Sequence, residues 1–231
     1  EAGIPYLTRP RDGHVFRIKE SIKPTVTIEA KAAGEPISKY IYGQFIEHLG
    51  RCIYGGIWAE MLDDRKFFYP VGNRPSAWRR IGSTSGVTMD TEAPFVGEHT
   101  PVIEAAAGIA QGRLGVVEGR DYTGYLWIKP RSEAGVNLEV SLVWGESPTE
   151  RESIYLTVNG TDYIRCPLRF TPQASTDRAS LEIRVSRGAA HVGTVSLMPA
   201  DNVHGMRADT LKLLKELNAP IYRWPGGNFV S

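Results

Sequence analysis

The sequence predicts a mixed fold: an all-β sandwich set into the opening of an α/β domain. Three observations carry this. Between about Pro75 and Pro199, short β-rich runs recur at a spacing near ten residues, each bounded by Gly, Pro, Asn or Asp. That is the pattern of a β-sandwich. After Pro199 the texture changes to an amphipathic helix followed by the apolar run APIYRW, and helix then strand after a helix-free block marks the start of an α/β domain. Before Pro75, glycine turns mix with short strands. The resulting divisions are 1–74, 75–200 and 201–231.

Residues 1–24, rich in Pro, Gly and charge, predict an extended arm. TVTIEA at Thr25–Ala30 alternates with β-branched residues and predicts a strand. EPISKYIYGQF at Glu35–Phe45 predicts a second, ending near Gly43. FIEHLGRCIYGGIWAEMLDDRKFF then mixes glycine turns with a short helical patch. That patch puts Ile57, Met61 and Leu62 on one face and Asp63 and Asp64 on the other. In the sandwich, Leu138, Val140, Leu142 and Trp144 form an apolar face opposite Asn137, Glu139 and Ser141. Asn159-Gly160 predicts a type I′ hairpin, which also accounts for the glycosylation pattern Asn159-Gly160-Thr161. GMRADTLKLLKELN predicts a helix with Leu211, Leu214 and Leu217 on one side, ended by Asn218 in a left-handed conformation. API-YRW follows as a buried strand and PGG as its turn.

The bulk numbers exclude several classes. The 231 residues are 42% hydrophobic and 23% charged, with a net charge of +1. This is a soluble globular composition without a basic field for nucleic acid. No apolar run is long enough for a membrane span. Cys52 and Cys166, both in apolar settings, predict two buried free thiols. The chain opens on Glu1-Ala2 without a hydrophobic signal core. A cleaved leader and a trimmed chain both fit, as do secreted and cytoplasmic locations. His14, His48, His99, His191 and His204 are scattered, so no metal is expected. No G-x-S-x-G and no G-x-x-x-x-G-K occurs, and no cofactor is expected.

Two segments can carry chemistry. In FIEHLGR, Phe45–Arg51, Glu47 and His48 sit side by side after a strand. Either Glu47 pairs with Arg51 to hold a loop, or its carboxylate faces a cleft and accepts hydrogen bonds from sugar hydroxyls. In RWPGGNF, Arg223–Phe229, the glycine pair allows close approach of a ligand, and Asn228 offers a donor and an acceptor. The alternative is a plain strand-to-helix turn. In the sandwich, Trp78, Tyr122, Tyr125, Trp127 and Trp144 are either core residues or surfaces for stacking on sugar rings, and Trp127 and Tyr125 are the candidates for stacking.

YIYGQFIEHLGRCIYGGIWAEMLDDR and LKLLKELNAPIYRWPGGNFVS together resemble the opening of glycoside hydrolase family 51, the α-L-arabinofuranosidases. GGIWAEML resembles the members that carry a carbohydrate-binding-like sandwich between these motifs. The resemblance implies an all-β sandwich inserted near the start of a (β/α)8 barrel that is incomplete in this chain, with APIYRWPGGNF as the first barrel strand and its loop. It implies that Glu47 and Asn228 contact the arabinofuranose ring and that Arg223 supports the nucleophile. It also implies a retaining mechanism with two glutamates from later barrel strands, so no catalytic residue is expected in this chain. Glu47 with Glu60, or Asp63 with Asp64, are conceivable local substitutes that nothing in the sequence marks.

The expected function is therefore the N-terminal portion of an arabinofuranosidase, inactive alone, acting on arabinose-containing oligo- or polysaccharides. Its expected partner is the remainder of the barrel, in the same or another chain, and a homo-oligomer is compatible. Ser231 is not expected to be a domain boundary. The rivals are a non-catalytic carbohydrate-binding module and the same barrel with xylosidase or endoglucanase specificity.

Overall fold

The computed structural model describes residues 6–8, 15–17, 25–29, 31 and 34–224. The chain divides into two units, Glu1–Ile41 and Tyr42–Ser231. In the first, β1 (Tyr6–Thr8) and β2 (Val15–Arg17) pair antiparallel with Leu7 opposite Phe16, so the expected arm contains strand pairing. The strand expected at Thr25–Ala30 does not form: residues 25–29 are exposed and lie outside any strand, and Ala30 is outside the described residues. Alternation only permits a strand; a ladder and a covered face make one, and Val26 and Ile28 have no cover.

The second unit is mainly a sandwich of two antiparallel sheets. β3 (Gln44–Phe45) is all that remains of the strand expected at Glu35–Phe45. The sandwich strands are β4 (Arg79–Gly82), β5 (Val87–Asp90), β6 (Thr100–Glu104), β7 (Ala107–Val116), β8 (Tyr122–Pro130), β9 (Val136–Val143), β10 (Arg151–Val158), β11 (Ile164–Phe170), β12 (Thr176–Arg187) and β13 (Ala189–Pro199). One sheet has the order β10-β9-β12-β7-β4 and the other β11-β8-β13-β6-β5. Period-2 alternation turns one side of each strand inward. On β9, Leu138, Val140 and Leu142 enter the core as expected, where they meet Leu181 and Ile183 of β12 and Leu126 and Ile128 of β8. Ser141, expected on the outer face, is nonetheless buried, held between the Ser153 hydroxyl at 2.8 Å and Glu139 at 3.1 Å. Leu62, Phe67 and Val71, upstream of the strands, pack into the same core.

Of the sandwich aromatics, Trp78, Tyr122 and Trp144 are buried. The polar atoms of the first two are satisfied, as burial requires: Trp78 Nε1 donates to the Asp64 carbonyl at 3.1 Å, and the Tyr122 hydroxyl accepts from the Val117 amide at 2.9 Å.

Three further expectations are corrected. Asn159-Gly160 does not close a hairpin, because β10 pairs with β9 and β11 with β8, so the turn carries the chain from one sheet to the other. The helical patch is replaced by a π-helical turn at Ile53–Ile57, interrupted at Tyr54 and at Gly55 with φ 72°, after which Trp58 is extended. A β-carbon on Gly56 would lie 2.0 Å from the Arg51 carbonyl oxygen, so this tight turn requires its glycine. Cys52 is exposed on that turn, while Cys166 is buried, which pushes its thiol up from the ordinary value.

Helix α1 (Ala208–Leu217) forms where the sequence places it, and Asn218 closes it at φ 47°, ψ 41° with its amide bonded to the Lys215 carbonyl. Leu211 and Leu214 pack inward, but Leu217 is exposed. β14 (Tyr222–Arg223) follows. It is not the buried strand expected, since Ile221 and Trp224 are about half exposed. Among the described residues no barrel closes; one parallel strand pair with its helix stands beside the sandwich.

Ile183 is fully buried between the sheets and Tyr155 is 76% exposed. Ile183→Ala should therefore cost about 2–5 kcal/mol in urea unfolding, and Tyr155→Ala should stay within about 0.5 kcal/mol. Equal losses would contradict this packing.

Candidate functional site

The site begins with two strands far apart in sequence. β3 and β14 pair in parallel, with Gln44 opposite Tyr222 and Phe45 opposite Arg223. The Gln44 amide donates to the Ile221 carbonyl, and the Ile46 amide to the Arg223 carbonyl, each at 2.9 Å. With α1 leading into β14, this is a strand–helix–strand unit whose crossover carries the whole sandwich. Parallel strands present their carboxyl ends on the same side, where α/β folds gather ligand-binding loops. FIEHLG leaves β3 at that side. β14 ends at that side as well; Pro225–Asn228, and with them the Asn228 candidate, lie outside the described residues.

Packing fixes the FIEHLG turn. Ile46 is buried with Ile53 and Ile57, against Leu211, Leu214 and Tyr222. The Tyr222 hydroxyl donates to the Leu214 carbonyl at 2.6 Å, tying β14 to α1. The Leu49 amide donates to the Glu47 carbonyl at 2.8 Å, and the Cys52 amide to the Leu49 carbonyl at 3.1 Å. These bonds turn the chain just after the strand and leave Glu47 half-buried at its end. His48 lies against Tyr54, ring centroids 5.6 Å apart, and Tyr54 against Trp58 at 5.2 Å. Arg51 and Arg223 are exposed, and among the described residues neither forms an ion pair with Glu47.

Glu60 has a different role. Its Oε1 accepts from the Leu62 amide at 3.1 Å and the Leu197 amide at 3.0 Å, and its Oε2 accepts from the Ser196 hydroxyl at 2.7 Å. Arg65 stands 3.8 Å away. Its oxygens are committed to pinning residues 58–65 to β13. Asp64 is likewise occupied by the amides of Phe68 at 2.6 Å and Tyr69 at 3.2 Å, while burial pushes its carboxyl up. The backbone of Asp63 exchanges bonds with the Gln111 side chain at 2.7 and 2.8 Å.

Tyr125 and Trp127 sit on the outer face of β8, half-buried. Phe95 packs on Trp127 at 5.7 Å. The Arg165 guanidinium lies 4.3 Å over the Tyr125 ring, and Arg65 donates to the Tyr125 hydroxyl at 3.3 Å. Among the described residues no cluster of three or more His, Cys, Asp or Glu side chains could hold a metal ion, and no helix is long and apolar enough to cross a membrane.

A cleft of about 570 Å³ adjoins the FIEHLG turn, lined by Arg51, Tyr54, Trp58, Arg113, Arg120 and Arg207 among others. Sequence reasoning missed it, because its two walls are some sixty residues apart. The available signals were the glycine pair after Tyr54 and the glycines that bracket Arg113.

At the start of α1, Arg207 grips Asp209 at 2.6 and 3.0 Å. With the Thr210 amide, this holds the Asp209 carboxyl down to about 2 from an ordinary 3.8. A depressed carboxylate contributes stability that is full above its unfolded value and lost as pH falls through the folded one. The acid unfolding curve should therefore contain a step between about pH 4 and pH 2 that Asp209→Asn removes. A wild-type curve identical to that of Asp209→Asn would contradict the pairing.

No family model matches the chain. It is 27% identical to α-L-arabinofuranosidase 1 of Arabidopsis thaliana over 94% of this chain and 36% of that protein. It is 24% identical to an extracellular exo-α-L-arabinofuranosidase of Streptomyces chartreusis, over 90% of this chain and 26% of that one. The chain thus spans about a third or less of the length of these curated relatives. An arabinose-bound family 51 α-L-arabinofuranosidase superposes with a TM-score of 0.66 at 19% identity, over 82% of this chain and 35% of that structure, which shows a common fold. Over about 90% of its length the chain resembles the N-terminal part of the family 51 α-L-arabinofuranosidases, sandwich included.

Proposed function

We propose that the chain serves as the N-terminal portion of a retaining α-L-arabinofuranosidase that removes terminal arabinofuranosyl groups from plant polysaccharides or oligosaccharides. The observation that carries this is the parallel pairing of β3 with β14. It supports a common ligand-facing end for Glu47 and the segment that holds Asn228. In this reading the Glu47 carboxyl group accepts hydrogen bonds from ring hydroxyls, the Asn228 amide donates and accepts, and Arg223 steadies the nucleophile with its guanidinium. A retaining glycosidase needs two carboxyl groups about 5–5.5 Å apart, one as acid/base and one as nucleophile. Here both come from barrel strands beyond this chain, in the same or another polypeptide, and no metal or cofactor takes part.

Two assays test the proposal. Residues 1–231 alone should not turn over a chromogenic arabinofuranoside; clear turnover without a second polypeptide overturns the division of labour. In the intact protein, Glu47→Ala should lower kcat/KM at least about 100-fold with the melting temperature nearly unchanged. Glu60→Ala should instead lower the melting temperature, since it strands buried donors. The reverse pattern would exchange the roles of the two residues.

A second reading treats the sandwich as a sugar-binding module in its own right, favoured by the half-buried Tyr125 and Trp127 on one outer face. Affinity electrophoresis of the chain in arabinoxylan tests it. Retardation abolished by Trp127→Ala, with the fold retained, supports this role; no retardation removes it.

A further inference from the structure

The cleft beside the FIEHLG turn contains two departures from regular backbone that aim side chains into it. The first is at Tyr54. The π-helical turn breaks there, with φ −73° and ψ 121°, and Gly55 follows at φ 72°. The break leaves the Tyr54 ring 62% exposed. Trp58 backs it at 5.2 Å, and the Arg65 guanidinium lies 5.6 Å from the Trp58 ring. The result is a supported aromatic surface, the kind that packs against the apolar face of a sugar ring.

The second is at Arg113. The pairing of β7 with β12 shifts register between Ala179–Leu114 and Leu181–Gln111, a β-bulge. Bulges re-aim side chains and tolerate one left-handed residue, normally glycine. Here that residue is Arg113, at φ 61°, although Gly112 is its neighbour. A side chain kept where glycine would fit without strain points to a function for that side chain.

The charges in the cleft are unequally matched. Arg120 is held by Asp201 at 2.8 and 3.0 Å, Arg207 by Asp209, and Glu60 by the bonds described above. Arg51 and Arg113 are exposed, and among the described residues they have no ion-pair partner. Asp63 is the one carboxylate of the lining whose side chain is similarly unengaged among the described residues, so two free guanidinium groups face one free carboxylate. A guanidinium binds a carboxylate through two parallel hydrogen bonds, and a cleft of about 570 Å³ is of small-ligand size.

We propose that this cleft binds a uronic-acid residue of the glycan that carries the arabinose, its carboxylate on Arg113 and Arg51 and its ring on Tyr54. The inference rests on the arabinofuranosidase reading for the origin of the glycan, but not for the binding itself. It assigns the joint between sandwich and FIEHLG turn to recognition of acidic side groups.

Isothermal titration of the intact chain with a glucuronic-acid-substituted xylo-oligosaccharide lacking arabinose tests it. The paired probe is the same oligosaccharide with its carboxyl reduced to the alcohol. The acidic form should bind at least about tenfold tighter than the reduced form, and raising salt should weaken only the acidic form. Arg113→Gly should abolish that preference while leaving the melting temperature unchanged or higher, because glycine accepts the left-handed backbone. Equal binding of both probes, no binding of either, or full binding by Arg113→Gly each overturns the proposal. None of these outcomes bears on Glu47, whose arabinofuranoside assay in the intact protein fails or succeeds separately.

Discussion

A short antiparallel junction holds the second unit together. Trp58 bridges to Met206, the Ala59 amide donates to the Gly205 carbonyl at 2.8 Å, and the Arg207 amide to the Ile57 carbonyl at 2.7 Å. The Met61 amide then bonds the Leu197 carbonyl at 3.0 Å. Here the chain enters and leaves the sandwich side by side. An insertion whose ends meet in this way costs the host little, because loop-closure entropy grows only slowly with length. It also lets β3 and β14 find each other across nearly 180 residues. Without the junction, the two short strands would rely on a few backbone bonds and the small cluster around Ile46, Ile53 and Ile57.

Glu60 reinforces that junction from within. Its carboxylate reaches across to the amide of Leu197 and the hydroxyl of Ser196 while also holding the amide of Leu62. A mostly buried carboxylate with this many donors is favourable only as a complete set, since each lost donor leaves a desolvated group unpaired. The network therefore fixes the path of residues 58–65 more narrowly than apolar contact alone would. Tyr54 and Trp58 inherit that precision, because they stand at the entry to the pinned segment.

Legibility in the sequence followed the range of the forces involved. The inward face of β9 and the left-handed end of α1 at Asn218 are set by residues within a few positions, and both were legible. Asn159-Gly160 was misleading because a two-residue hairpin signal says nothing about which strand is the partner; β10 and β11 are claimed by β9 and β8. The helical patch failed for a related reason. Ile57 and Leu62 are both buried, but in different clusters, so a helix-like spacing arose from two separate packing demands. For the site, the sequence marked Glu47 and Arg223, yet nothing in it revealed that their strands pair in parallel. Their neighbourhood is a property of the junction and not of either motif.

The same distinction explains where the backbone departs from regularity. Of the six non-glycine residues described with positive φ, Asp64, Phe67, Arg113 and His204 lie on segments that meet at or near the junction. Ala106 and Asn218 serve a tight turn and a helix end. A left-handed conformation is unfavourable for most side chains and persists only where surrounding contacts over-determine it. Phe67 meets that condition by full burial, and Asp64 by holding the amides of Phe68 and Tyr69. Arg113 has neither compensation, being exposed and unpaired among the described residues. The sandwich therefore does more than space two motifs: through β7 it presents a strained cation to the cleft whose opposite wall is the turn that follows Glu47.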